Sequence, residues 1–254
     1  MSSTSERSAG LDLLRGAAVA LVMARHALPG VFGGAGVVGV VMFFSLSGYL
    51  ITGVLVGEVR RTGRLRLGAF YRRRAARLVP ALLLMLTGFT LVTLTLDPIG
   101  DRALLPATLA IALTWTGDLP FGHASPATFH LWTLALEEQF YLAWPLLVGW
   151  AVRRGRERLL LLVAGLATAV ACVASTLWLR EAPDLAYALP TSWAMCFVVG
   201  AAARLLPLPV PPRWLAIGAA AALGVLSVLP LRGSVFTYLG GGPAIAALTA
   251  ALVL

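Results

Sequence analysis

Residues 34–56 read GAGVVGVVMFFSLSGYLITGVLV, and this stretch decides the class of fold. It contains no charged residue, and it exceeds the roughly 20 residues that a helix needs to cross the hydrocarbon core of a bilayer. Comparable apolar blocks occupy residues 11–28, 78–96, 131–152, 159–179, 192–206 and 214–231. Together with a short final run at 243–254, they predict an all-α fold, a polytopic transmembrane helical bundle of about 8 apolar helices.

The composition excludes an ordinary soluble domain. Only 12% of the 254 residues are charged, whereas soluble domains carry about 25%. All 20 basic residues are arginine, and eight of them lie between positions 60 and 77. Because arginine-rich loops stay in the cytoplasm, this loop and the N-terminus are predicted to be cytoplasmic, in a multi-pass protein of the plasma (inner) membrane. The net charge of +9 therefore reflects topology, and nucleic acid is not an expected partner.

Two segments raise separate questions, one about topology and one about where the domain ends. If residues 103–116 cross the membrane, the arginine-rich run at 153–158 falls outside; if they are re-entrant or interfacial, that run is cytoplasmic. The segment is short and contains Pro106, which favours the re-entrant alternative. The run at 243–254 is too short to span, which predicts that the domain continues and that this chain is incomplete at its C-terminus.

The first apolar block carries ionisable residues that a bilayer disfavours. Asp12, Arg15, Arg25 and His26 lie within it, and an ionised group at mid-membrane costs a few kcal/mol (roughly 2.5–3.5). Arg15 and His26 are eleven positions apart, which places them near one helix face about 16 Å apart along the axis. His26 is a candidate general base, and Arg15 a candidate ligand for an anion. The alternative is an arginine and a histidine at the two interfaces, with Asp12 pairing with Arg15.

A second polar stripe is predicted in residues 130–141, HLWTLALEEQFY. On a helix, one face collects His130, Thr133, Glu137, Tyr141 and Trp144, whereas the neighbouring carboxylate of Glu138 points about 100° away. Glu137 is therefore predicted to face the interior and to orient or stabilise a histidine base. The alternative is an aromatic belt at the membrane interface with incidental acids.

Two further stretches have both structural and functional interpretations. Residues 43–52, FFSLSGYLIT, place Ser47 beside Gly48, and such small residues permit close helix packing. Residues 70–80, FYRRRAARLVP, crowd arginines beside the membrane, where they suit a polyphosphate or anionic lipid unless they serve topology alone. Cys172 and Cys196 are predicted to be small buried residues, and no metal site is expected.

Together these stretches resemble the acyltransferase 3 family of integral membrane proteins, over residues 11–145. The resemblance rests on an Arg-x10-His spacing, a Phe-Phe-x-Leu-Ser-Gly motif, an Arg-x-x-Arg-x-x-Pro motif and a Trp-Ser-Leu-x-x-Glu-x-Gln-Phe-Tyr block. The matching residues are Asp12, Arg15 and His26; 43–52; Arg74, Arg77 and Pro80; and His130, Trp132, Leu134, Glu137, Gln139, Phe140 and Tyr141. The chain departs from the family at Val41 (commonly Asp), Thr133 (Ser) and Trp193 (often Arg).

The resemblance implies that residues 1–254 form a single acyltransferase domain. Its partners would be the bilayer, an acyl-CoA donor (acetyl-CoA by default) on the cytoplasmic side and a hydroxyl acceptor such as a polysaccharide, glycolipid or secondary metabolite. His26 would deprotonate the acceptor and Glu137 would stabilise the imidazolium. Arg15, Arg74 and Arg77 would hold CoA phosphates, and Ser47 and Thr133 would donate hydrogen bonds to the oxyanion. The other candidate substrate-binding residues are Asp12, His130, Trp132 and Tyr141.

Two other classes of function compete with this interpretation. Intramembrane Arg, His and Glu also build the pathways of proton-coupled transporters and channels. A membrane scaffold would explain the apolar blocks but not the spacing of the four polar motifs. Consumption of acyl-CoA with release of free thiol separates an acyltransferase from both.

Overall fold

A computed structural model describes residues 2–119 and 124–254, without the side chains of residues 2–8, 183 and 184. About 80% of the chain is helical, and the described residues contain no strand, so the predicted all-α fold is confirmed. The helices are α1 (Ser2–Ala27), α2 (Ala35–Thr62), α3 (Leu67–Thr95), α4 (Leu105–Leu113), α5 (Trp132–Arg154), α6 (Glu157–Trp178), α7 (Pro190–Leu205), α8 (Arg213–Val228) and α9 (Gly242–Val253).

Helix α2, formed by the stretch that decided the fold class, is the centre of the bundle. It contacts α1, α5, α7, α8 and α9. Its approach to α7 is so close that a Cβ on Gly48 would overlap the Phe197 carbonyl, and a Cβ on Gly200 would overlap that of Ser45. The small residues therefore permit backbone contact between α2 and α7, as the sequence predicts.

Four helical segments are long and apolar enough to cross a membrane by length and composition. They are α2, α3, α6 and the stretch Leu185–Leu205, which ends with α7. Helices α3 and α6 lie on the outside, where only 17% of each apolar window is buried within the protein. Their exposed leucines and valines, such as Leu84 and Leu166, are suited to lipid contact.

The two arginine-rich segments lie at the same end of the bundle, which we call the basic end. Arg60 near the end of α2 and Glu157 at the start of α6 form an ion pair of 3.8 Å. The opposite end, where α1 ends and α5 begins, is called the cavity end. Helix α4 has nine residues, about 14 Å, and cannot cross the hydrocarbon core. A helix too short to span, with both arginine-rich segments at one end of the bundle, is what the re-entrant alternative for residues 103–116 requires.

Helix α3 differs from its apolar block. The block begins at residue 78, whereas the helix begins at Leu67 and includes Arg72, Arg74 and Arg77. Arginine is a strong helix former, so the basic run extends the helix instead of forming a loop. Pro80 lies within α3.

Candidate active site

A large cavity lies at the cavity end, between α1, α2 and the start of α5. It encloses about 880 Å³. Its wall brings together polar residues of α1 and of the region around the start of α5 with one arginine from the segment between α8 and α9: Arg25, His26, His130, Thr133, Glu137 and Arg232. The two residues predicted to share catalysis, on helices distant in sequence, therefore line one cavity.

The tautomer of His26 follows from its hydrogen bond. Its Nδ1 lies 2.7 Å from the carbonyl oxygen of Val22 one turn earlier. Since a carbonyl only accepts, Nδ1 carries a proton in this hydrogen bond, and in the neutral imidazole the lone pair is therefore on Nε2. His26 is exposed to the cavity, so Nε2 is open to a proton donor that enters there.

Glu137 connects the cavity to a group of buried and half-buried polar side chains that we call the charge cluster: Ser47, Arg74, Glu137, Glu138 and Tyr141. The Ser47 hydroxyl donates to Glu137 Oε1 at 2.9 Å. Arg74 donates from Nε to Glu138 Oε1 at 2.9 Å and lies 3.8 Å from Glu137 Oε2. Its guanidinium also stacks on the Tyr141 ring, 3.2 Å from the centroid. One arginine from α3 thus lies within ion-pair distance of two adjacent carboxylates of α5.

Arg15 reaches the same cluster from α1. Its charge attracts the Glu137 carboxylate, and it also pairs loosely with Asp12 at 3.8 Å. The Asp12 side chain is 71% exposed, so its contact with the cluster is indirect. Arg15 therefore lies behind Glu137, further from the cavity mouth than His26.

Glu138 is more deeply buried than Glu137. The helical angle places it away from the polar stripe, yet its side chain is only 8% exposed, compared with 20% for Glu137. The physical reason is the Arg74 side chain, which supplies a cation on that face of α5. The arginine motif of α3 was the available signal, but sequence alone does not pair it with a particular acid.

Of the remaining predicted residues, Trp132 and Thr133 line the cavity, whereas Arg77 does not. Trp132 is buried in an aromatic wall with Phe44, Tyr187 and Trp193, and Thr133 donates its hydroxyl to the His130 carbonyl at 3.0 Å. Arg77 lies on an exposed face of α3 and has no ion pair with a described carboxylate. The structure therefore separates Arg77 from Arg74, although one motif contains both.

A second cavity of about 660 Å³ adjoins the first and was not anticipated from the sequence. Phe129 and Arg232 line both cavities, and the buried carboxyl of Asp118 lines the second. Gln139 Nε2 donates to Asp118 Oδ1 at 2.9 Å. Burial raises the pKa of Asp118 to about 6, although the hydrogen bond from Gln139 opposes the shift.

Comparison with known proteins gives the family. The family model described as an acyltransferase domain (Acyl_transf_3) matches residues 8–254. The O-acetyltransferase OatA of Staphylococcus aureus is 36% identical over 157 residues, 59% of this chain and 26% of the relative. The putative peptidoglycan O-acetyltransferase YrhL of Bacillus subtilis is 36% identical over 185 residues, 66% of this chain and 28% of the relative.

These matches cover about a quarter of the length of both relatives. No solved structure matches the chain. The family model, however, spans nearly all of its residues, and the apolar helices agree with the membrane location. The chain is therefore a multi-pass membrane protein that belongs to the acyltransferase 3 family.

Proposed function

We propose that this chain transfers an acyl group, acetyl by default, from acyl-CoA to a hydroxyl of a polysaccharide or related glycan. The observation that carries the proposal is the shared cavity of His26 and Glu137. The names of the two relatives support acetyl as the group and, for YrhL, peptidoglycan as a type of acceptor.

In the proposed reaction, His26 Nε2 takes the proton from the acceptor hydroxyl. The acceptor oxygen then bonds to the thioester carbonyl carbon, the carbon–sulfur bond breaks, and the CoA thiolate leaves with the proton from His26. Glu137 places a negative charge on the wall of the same cavity, where it would stabilise the imidazolium formed in between. The Nδ1–Val22 hydrogen bond supports this role because it leaves Nε2 as the nitrogen that accepts a proton in the neutral ring.

The donor is proposed to approach from the basic end, with that end facing the cytoplasm. Arg74 and Arg15 lie behind Glu137 and would attract the phosphates of CoA or position the thioester. Arg77 is exposed toward solvent or lipid headgroups and would contact the nucleotide part only from the surface. Ser47 would serve mainly to hold Glu137, since its hydroxyl already donates to that carboxylate.

The test is acceptor-dependent release of free thiol from acetyl-CoA by membranes that contain the full-length protein. His26→Gln and Glu137→Gln should each lower that rate at least about a hundredfold, the usual contribution of a positioned acid–base group. Glu181→Gln is a matched control, because Glu181 lies near the same end and its side chain is 88% exposed. Wild-type rates in both site variants, at equal protein levels, would overturn the proposal.

A further inference from the structure

The mouth of the large cavity holds two arginines that the proposed reaction does not use. Arg25 lies beside His26 in the last turn of α1, and Arg232 comes from the segment between α8 and α9. Both line the cavity. Arg232 lies over two aromatic rings, 4.6 Å from the Tyr187 centroid and 5.7 Å from that of Phe129.

The positive charges of Arg25 and Arg232 both act on Tyr187. Both act on its hydroxyl, and Arg232 also lies against its ring, so both cations lie within electrostatic reach of this residue. Neither arginine forms an ion pair with a described carboxylate. Among the described residues lining this cavity, Glu137 is the acid, and Ser47 and Arg74 already engage it.

Beside these arginines lie two aromatic residues, the buried Tyr187 and the exposed Phe129. Phe129 and Tyr187 are stacked at 6.3 Å with an interplanar angle of 20°, and Phe129 remains 43% exposed. Aromatic faces bind the apolar face of a ring, while guanidinium groups bind carboxylate or phosphate through paired hydrogen bonds. The mouth therefore combines surfaces for two parts of one ligand, a ring and an anion.

We infer that Arg25 and Arg232 form an anion site at the cavity mouth, and that the acceptor is an anionic glycan whose sugar ring stacks on Phe129. The inference rests on the proposed function, because it identifies the occupant of the cavity as the acceptor. The CoA phosphates are the other possible source of an anion. We assign the CoA phosphates to the basic end, because the cavity lies at the end opposite the arginine-rich segments.

Ligand binding tests the inference without requiring acyl transfer. The full-length protein in nanodiscs is titrated with trigalacturonate and with its fully methyl-esterified form, which lacks the negative charges. Trigalacturonate should bind at least tenfold more tightly than the ester. The double substitution Arg25→Gln and Arg232→Gln should reduce that preference to less than twofold. Arg180→Gln is the matched control, since this exposed arginine near the same end does not line the cavity.

Three outcomes would overturn the inference. The ester could bind as tightly as trigalacturonate, or the double variant could keep the tenfold preference. Alternatively, the double variant could lose affinity for free CoA while its affinity for trigalacturonate is unchanged, which would assign the pair to the donor. A tenfold preference that depends on the arginine pair supports the anion site even if thiol release shows no acyl transfer, so the two proposals fail independently.

Discussion

Removal of Arg74 should destabilise the protein more than removal of any neighbouring arginine. Arg74 is 17% exposed and is the cation that contacts both Glu138, 8% exposed, and Glu137, 20% exposed. Arg74→Gln leaves two adjacent carboxylates with little solvent and a single distant cation, Arg15. Breaking one partner from a buried ion pair costs about 3–5 kcal/mol of unfolding free energy. For a chain of this size, that corresponds to a fall of roughly 10 °C in Tm.

The assay can use the two cysteines as reporters. Cys172 and Cys196 are buried and free, so a thiol-reactive fluorophore reports when the bundle opens on heating. Arg73→Gln is the matched control, because Arg73 is adjacent and exposed. We expect the Arg73 variant to melt within about 2 °C of wild type, since exposed charges contribute roughly 0–1 kcal/mol.

A second substitution separates lost charge from lost packing. In the Arg74→Gln background, Glu138→Gln removes the more buried of the two unpaired carboxylates and should recover part of the lost Tm. If the double variant melts no higher than Arg74→Gln alone, the loss comes from the stacking of Arg74 on Tyr141 instead of the ion pairs. Equal melting of the Arg74 and Arg73 variants would refute the reasoning altogether.

Two other predictions follow from packing and burial. Gly200→Ala should lower the Tm or prevent folding, because its Cβ would overlap the Ser45 carbonyl, while Gly218→Ala, with open space around it, should be neutral or slightly stabilising by the same melting assay. Burial raises the pKa of Asp118 from 3.8 to about 6, so the folded state binds the proton more tightly and stability should fall as pH rises from about 4 to about 6. Asp118→Asn, which keeps an oxygen for the Gln139 hydrogen bond, should flatten that part of the Tm–pH profile; an unchanged profile would contradict the assignment.

The helices and their approximate bounds were predictable because the bilayer imposes a simple rule. Every spanning backbone must satisfy its own hydrogen bonds, so long apolar runs become helices. The start of α3 was not predictable from hydropathy, since its first turns are arginine-rich and the apolar block begins later. Helical spacing predicts that Glu137 faces the stripe that lines the cavity, but it does not predict the burial of Glu138, which depends on a cation from another helix.

The sequence by itself determined the helical class, the family and the identity of two candidate reacting groups, His26 and Glu137. Local patterns predict these features: the length of apolar runs, the spacing of residues and short motifs. Only the tertiary structure decided which side chains meet: that Arg74 rather than Arg77 joins the acids, and that Arg25 and Arg232 share a cavity mouth. The physical reason is that helix spacing fixes directions around one axis, whereas contacts depend on how separate helices pack together.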